Sequence, residues 1–257
     1  MGCMEYGLAS IGMSFDTWQQ AMQAAIASGR LEVTGEIRGG QLVQFSDPSG
    51  AQLNMLAVEP YATYAGFAST AAANAHVTMV NDVLALAEIV TDNGTPISTI
   101  TCNLAQGPLL VEEPTLEWEQ LALTAMGMDV AVFDNSEAFR AAGGQAVGLV
   151  VSQGAAVVAT GDGSRVPDAS AQIAVEVVGA EYRYTALTNQ RFIHLDVISP
   201  VPMDVCIPDT PALPAPGSIV AGTAMLVGSI KPPAGCGDGD GCGSGGCGCG
   251  SGGCGSH

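Results

Sequence analysis

The chain is poor in basic residues. Its 257 residues contain seven Lys and Arg against 25 Asp and Glu, a formal net charge of −18, and Lys231 is the single lysine. Nucleic acids and anionic membranes are bound through positively charged surfaces, so this balance argues against both as partners. The apolar stretches 147–151 and 218–230 are too short, or too interrupted by glycine, to span a bilayer of about 30 Å.

Targeting signals and common catalytic motifs are also missing. Residues 1–6 have neither the basic segment nor the apolar segment of a secretory signal, which favours a cytoplasmic protein. No Walker loop, Gly-x-Ser-x-Gly elbow or His-Glu-x-x-His motif occurs. Hydrophobic residues nevertheless make up 47% of the chain and charged residues only 12%, which excludes disorder throughout and predicts a globular body.

Hydrophobic patterning predicts an α+β fold with mainly antiparallel strands and two short helices. Residues 4–13 predict a strand. Asp16 predicts a helix cap, and apolar residues at helical spacing from Trp18 to Ile26 predict the helix that follows it. Short strands follow at 31–37, 41–45 and 52–58. The first 58 residues are therefore expected to run strand, helix, then three strands.

A similar pattern recurs about 100 residues later. Trp118 to Met126 repeats the spacing of the first helix, and strand-like segments follow at 147–151 and 155–160. Two interpretations stay open: a duplicated βαβββ unit, or two unrelated amphipathic helices in an α+β protein. Between the copies, Asn93-Gly94 predicts a hairpin turn that joins strands 84–90 and 96–104.

The pattern then changes along the chain. Segment 61–75, rich in Ala and Thr, predicts a connection or a short helix. From 170 to 230 the pattern predicts strands at 172–178, 182–187, 192–198, 203–207 and 219–227, with prolines between the last two. We therefore expect an α+β domain over 1–165, a small β-barrel-like unit over 166–232 and a disordered Gly/Cys-rich tail over 233–257.

One turn resembles a known family. The segment Gln44-Phe45-Ser46-Asp47-Pro48-Ser49-Gly50-Ala51-Gln52-Leu53 is similar to the Phe-x-Asp-Pro-x-Gly turn of the vicinal oxygen chelate (glyoxalase and bleomycin-resistance) superfamily. The resemblance covers residues 1–60, and extends to about 160 if the repeat is real. It implies βαβββ modules that hold a divalent metal through His, Gln or Glu.

The residues that the resemblance would make metal ligands are absent. It places the last-strand ligand at Asn54, a neutral amide, and the first strand, 6–13, contains no His, Gln or Glu. The corresponding stretch of the second copy, 155–159, is wholly apolar. The resemblance therefore implies the fold and a small-ligand-binding role, but not the catalytic metal.

Outside the tail, the sequence indicates no catalytic site. His194 alternates with Ile193 and Leu195 and predicts a partly exposed strand histidine on the opposite face, and His76 is expected to be structural. Cys102 and Cys206 lie in strand-like runs and predict buried, inert thiols. A group of aromatic and basic residues is compatible with stacking on nucleic acid, but ordinary cross-strand packing is favoured. The group consists of Tyr182, Arg183, Tyr184, Arg191 and Phe192.

The tail holds a set of soft-metal ligands. These are Cys236, Cys242, Cys247, Cys249, Cys254 and His257. Thiolates and one imidazole suit Zn²⁺, Cu(I) or Ni²⁺, and the glycines would allow the backbone to fold tightly around an ion. Alternatively, the tail is an inert extension, a substrate for modification, or a source of intermolecular disulfides.

Three functional hypotheses follow. The first is a non-catalytic binding or accessory protein whose tail binds a soft metal ion. The second is a divergent vicinal-oxygen-chelate-like protein that binds a small ligand or catalyses a reaction at an unrecognised site. The third is a structural or interaction protein whose acidic surface maintains solubility. The expected partners are thus a soft metal ion or a small ligand, with no nucleic acid and no membrane.

Overall fold

Strands dominate the chain. A computed structural model describes residues 5–161 and 163–232, and the side chains from Gly7 onward within them. The helices are α1 (Glu5–Ala9), α2 (Trp18–Ala27), α3 (Gly107–Leu110), α4 (Ser136–Ala141) and α5 (Gln153–Thr160). The strands are β1 (Leu31–Ile37), β2 (Gly40–Ser46), β3 (Ala51–Leu56), β4 (Ala62–Phe67), β5 (Ala72–Met79), β6 (Leu84–Val90), β7 (Pro96–Leu104), β8 (Leu116–Phe133), β9 (Leu149–Ser152), β10 (Ser170–Tyr184), β11 (Arg191–Ile198), β12 (Asp204–Pro208) and β13 (Ile219–Ile230).

The first four strands form an antiparallel meander, sheet A, in the order β1-β2-β3-β4. Its β2–β3 turn is the Asp47-Pro48-Ser49-Gly50 sequence, in which Gly50 has φ +95° and donates its amide to the Asp47 carbonyl at 2.9 Å. Proline at the second position and glycine at the fourth are typical of such a turn. Local chemistry therefore fixes the register of this hairpin.

The other nine strands form sheet B around a long antiparallel ribbon of β8 and β13. At one end of the ribbon, the pairing order runs β8-β5-β6-β7-β13. At the other end, it runs β8-β12-β11-β10-β13. Each set of pairings is closed, so eight strands of sheet B form two rings that share the β8–β13 ribbon, and β9 pairs with β10 outside the rings. The β12–β8 and β13–β7 pairs are parallel, and the sheet is therefore mixed.

Two main hydrophobic clusters stabilise this arrangement. The larger lies inside sheet B and takes residues such as Ile100, Leu123 and Leu195 from both rings. The second joins sheet A and α2 to the outer face of sheet B, where Phe45 and Phe192 are fully buried. Burial of apolar surface, which contributes about 25 cal/mol for each Å², is the main force that holds the layers together.

Several predicted elements are confirmed. Helix α2, strands β1 to β3, the hairpin of β6 and β7, and strands β11 to β13 lie where patterning predicts them. The coarse α+β class with mainly antiparallel pairing therefore agrees with the structure, although sheet B also contains parallel pairs.

Two predicted strands are helices instead. The described part of segment 4–13 forms α1 followed by a turn, and segment 155–160 belongs to α5. The Ser152 hydroxyl caps α5 by accepting the Ala155 amide at 3.2 Å, a signal that an apolar run alone does not contain. Short apolar runs satisfy helix and strand patterns equally, which explains both errors.

The helix predicted from Trp118 to Met126 is part of strand β8. Leu121, Leu123 and Ala125 are buried inside sheet B, whereas Met126 joins the cluster beneath sheet A. Because both faces of this strand are covered, its alternation is hidden and a helical spacing arises by coincidence. The two predicted copies therefore do not share a βαβββ order of elements.

Two smaller differences concern strand extent. Segment 61–75 forms β4 and the start of β5 rather than a connection or helix. The separate strands expected at 172–178 and 182–187 are the single strand β10, which has an irregular register between Val177 and Gly179.

The predicted boundary near residue 165 lies between α5 and β10, and strands on both sides of it belong to sheet B. The tail over 233–257 lies outside the described residues. Among the helices that the structure describes, none is both long and apolar enough to cross a membrane.

Candidate functional site: an apolar cleft beside sheet A

A cleft of about 490 Å³ opens between helix α2 and sheet A. Its lining residues come from one continuous part of the chain: Met22, Ile26, Leu31, Val43, Met55, Leu56, Ala57, Tyr61, Ala62 and Thr63. None of them carries a charge. Ligand pockets in proteins typically measure about 300–1,000 Å³ and are mainly apolar, so this cleft has the size and chemistry of a small-molecule site.

Helix α2 supplies one wall of the cleft. Thr17 caps the helix by accepting the Gln20 amide at 3.3 Å, one residue after the predicted cap at Asp16. Ala21 and Ala25 are fully buried against the core, whereas Ile26 is 59% exposed. The small alanines bring the helix close to the sheet, and the larger apolar side chains are left to line the opening.

Sheet A supplies the floor and the rim. Met55 and Leu56 on β3 are buried, and Val43 lies opposite Met55 on β2. Tyr61, just before β4, is 75% exposed at the rim. The floor therefore continues the buried layer under sheet A, while the rim presents a large aromatic ring to solvent.

The cleft offers little acid–base chemistry. Its polar side chains are the hydroxyls of Tyr61 and Thr63, and Thr63 contacts the Met22 sulfur at 3.4 Å. With no carboxylate, imidazole or thiol in the lining, the cleft has no group suited to proton transfer or nucleophilic attack near neutral pH. Its chemistry favours binding through apolar contact.

The sequence predicts the apolar stripe of α2 but not that part of this stripe lines a cleft. The exposed fraction of Ile26 shows that the stripe is wider than the contact with sheet A requires. The spacing of Trp18, Ala21, Met22, Ala25 and Ile26 is the ordinary stripe of a helix packed on a core, so it carried no signal that Ile26 stays exposed.

The predicted metal ligands of the tail lie outside the described residues. They are Cys236, Cys242, Cys247, Cys249, Cys254 and His257. Asn54, which the family resemblance placed at the last-strand ligand position, is buried on β3. Its side-chain oxygen accepts a hydrogen bond from Gln44 Nε2 at 2.7 Å, so the amide helps to join neighbouring strands.

His194 differs from the prediction of a partly exposed residue: only 4% of it is exposed. Its side chain does lie on the face opposite Ile193 and Leu195, which belong to the interior of sheet B. It is buried because sheet A covers that face, where Phe67 stacks on the imidazole with the ring centroids 5.8 Å apart. A covering layer from distant residues leaves no trace in the local pattern.

Asp204 lies next to this imidazole. Burial raises the pKa of Asp204, but the neighbouring His194, the Thr70 amide and the Ser69 hydroxyl outweigh burial and lower it. The carboxyl group is therefore ionised at neutral pH.

The two described cysteines are buried, as predicted. Burial raises the pKa of Cys102 to about 12 and that of Cys206 well above its ordinary value, with the charge of Asp204 adding to the effect on Cys206. Both are therefore held as thiols, which are poor nucleophiles and poor metal ligands. His76 contacts the Trp118 ring edge-to-face at 5.3 Å, in agreement with a structural role.

The aromatic and basic side chains of β10 and β11 pack against one another. Arg191 lies 4.0 Å from the centroid of the Tyr182 ring and pairs with Asp209 at 2.8 Å. Arg183 pairs with Glu181 at 2.7 Å. Each guanidinium is thus compensated by a carboxylate beside it. The contact of Arg191 with Tyr182 is the cross-strand packing that the sequence favours, whereas Arg183 and Glu181 lie on the same strand.

Comparisons with protein-family models, curated proteins and solved structures found no match to this chain. Its function is therefore inferred from its own geometry and chemistry.

Proposed function

We propose that this chain is a non-catalytic binding protein that takes a small, neutral and mainly apolar molecule in the cleft between α2 and sheet A. The observation that carries the proposal is the uncharged lining of a cavity of about 490 Å³. Binding is expected to be driven by removal of apolar surface from water, at about 25 cal/mol for each Å² buried.

Charge narrows the class of ligand. The chain carries a formal net charge of −18, which repels anions on approach, and the cleft contains no cation that could hold one. It also contains no carboxylate that would hold a cation. A neutral ligand is not repelled by the net charge and needs no charged partner in the cleft. The hydroxyls of Tyr61 and Thr63 are available to orient one polar group of the ligand.

The position of the cleft is compatible with the family resemblance. All of its lining comes from residues 22–63, and the resembling turn, 44–53, lies within that segment. The resemblance implies a small-ligand-binding role, although the described part of segment 4–13 forms α1 where the resemblance implies a first strand.

Titration with Nile red, a neutral apolar dye whose fluorescence rises on leaving water, tests this proposal. We expect saturable binding of one dye per chain. Ile26→Glu places a charge at the rim and should weaken binding at least tenfold. Ile198→Glu is the matched control, because Ile198 is 61% exposed against 59% for Ile26 and does not line the cleft.

Two results would contradict the proposal: binding that does not saturate, or equal affinities for the Ile26→Glu and Ile198→Glu variants. Circular dichroism spectra of both variants verify that each is folded.

We also propose that the tail binds a soft metal ion, Zn²⁺, Cu(I) or Ni²⁺, through its five cysteines and His257. The support is the ligand set in the sequence, which includes the close pair Cys247 and Cys249. Metal analysis of the full chain under reducing conditions should show a stoichiometric ion that is lost in the Cys247→Ser/Cys249→Ser variant. Cys3→Ser is the control, and an unchanged metal content in the double variant favours an inert or modified tail.

A further inference from the structure

A histidine and three carboxylates lie together on the outer face of three neighbouring strands of sheet B. His194 and Asp196 alternate along β11, so their side chains share one face. Asp204 of β12 lies directly opposite Asp196, and Glu181 of β10 lies directly opposite His194. The strand register brings these residues together, although they are separated in the sequence.

Three of these side chains converge to the spacing of metal ligands. His194, Asp196 and Asp204 each offer one ligand atom, and these atoms all lie within 4.8 Å of one another. His194 Nε2 is 3.5 Å from Asp204 Oδ2. Two metal–ligand bonds of about 2.1 Å at a tetrahedral angle separate their donor atoms by about 3.4 Å, close to this distance.

The imidazole supplies an independent indication of a ligand. His194 is 96% removed from solvent, yet its Nε2 has no hydrogen-bond partner in the described part of the chain. A buried polar atom that is left unpaired destabilises the folded state. An ion between His194 and Asp204 would satisfy Nε2, because a neutral imidazole nitrogen is a metal ligand as well as a hydrogen-bond acceptor.

Surrounding residues fix the orientation of these groups. Asp204 Oδ2 accepts hydrogen bonds from the Ser69 hydroxyl and the Thr70 amide, each at 3.0 Å. Phe67 stacks on the imidazole at an interplanar angle of 18°. His194 Nδ1 lies 3.7 Å from Glu181 Oε1, a carboxylate beside the ring nitrogen that faces away from Asp204. Outer partners of this kind are typical of metal sites.

We propose that His194, Asp196 and Asp204 form a binding site for one divalent transition-metal ion, of the class of Mn²⁺ or Zn²⁺. One imidazole and two carboxylates provide a nitrogen–oxygen ligand set that suits these ions, and the two carboxylates balance the charge. Asp196 is exposed, so the site is open to solvent on one side for entry of the ion.

Mn²⁺ is the discriminating probe because the thiolates of the tail favour softer ions. We expect electron paramagnetic resonance of free Mn²⁺, titrated with the full chain at 150 mM salt, to show one tightly bound ion per chain. Asp196→Asn removes one anionic ligand and should weaken Mn²⁺ binding at least tenfold. Because Asp196 is exposed, the fold of this variant should persist. Zn²⁺ should displace the bound Mn²⁺.

Asp129→Asn is the matched control, since Asp129 is also an exposed strand aspartate of sheet B and does not belong to the cluster. It should leave Mn²⁺ affinity unchanged. Equal weakening in Asp129→Asn and Asp196→Asn, or no tightly bound Mn²⁺ in the unmodified chain, would overturn the proposal and leave His194 as an ion-pair partner of Asp204.

Discussion

The Asp47 side chain joins sheet A to the β10–β11 loop, and its removal is expected to destabilise the protein by about 3 kcal/mol. Asp47 is 6% exposed. Its Oδ2 accepts the amides of Ala186 and Leu187 at 2.9 and 3.2 Å, and its Oδ1 accepts the Ser49 amide at 3.0 Å. It therefore stabilises both its own turn and a contact with residues about 140 positions away.

The magnitude follows from the two long-range bonds in the Asp47→Ala variant. Hydrogen bonds to charged groups contribute about 1.5–3 kcal/mol each. The low end applies because Ala186 is exposed, so water can reach its amide once the carboxylate is gone. The local turn retains its backbone bond from Gly50 to Asp47, so loss of the Ser49 contact adds little.

Equilibrium unfolding in urea measures this effect. Asp47→Ala should lower the midpoint with little change in the slope of free energy against urea. Asp92→Ala is the control: Asp92 is an aspartate of an exposed hairpin turn whose carboxylate accepts one bond from Asn74, at 2.8 Å. A loss for Asp47→Ala no larger than that for Asp92→Ala would refute the account of Asp47 as a tertiary link.

Three further outcomes are expected. Gly154→Ala should destabilise by more than about 2 kcal/mol in urea unfolding, because an added Cβ would lie 1.9 Å from the Asp168 carbonyl oxygen. Burial raises the pKa of Tyr64 above that of an unfolded tyrosine. The stability that its neutral phenol contributes is therefore fully present below about pH 10 and is lost as the pH rises above this value. Tyr64→Phe should reduce this alkaline loss of stability in pH-dependent unfolding. Iodoacetamide at pH 8 should leave Cys102 and Cys206 unmodified in the native protein and modify both in urea, as read by peptide mass spectrometry.

For each of these three predictions, a control variant or a specific result would contradict the physical explanation. Gly161→Ala is the control for Gly154, since its Cβ would meet nothing within 4 Å and only its φ of +60° is strained; equal losses would remove the steric explanation. Tyr61→Phe, at a residue 75% exposed, should leave the alkaline loss unchanged. Rapid native alkylation of Cys102 would show that its region of sheet B opens readily.

Elements with local signals were predictable. The helix α2 was predicted with its cap displaced by one residue. Its cap, the Asp47-Pro48-Ser49-Gly50 turn and the Asn93-Gly94 hairpin depend on hydrogen bonds between residues a few positions apart. In contrast, β8 has a helical spacing, and it forms a strand because long-range pairing with β13 and burial on both faces outweigh local preference.

The candidate sites divide in the same way. The sequence by itself determined the acidic charge and the set of soft-metal ligands in the tail. The tertiary structure alone decided that Ile26 stays exposed, and that His194 is buried next to Asp204. The physical reason is that exposure and ligand spacing depend on strand register and on covering layers that come from distant parts of the chain, whereas turns and caps are decided by hydrogen bonds among near neighbours.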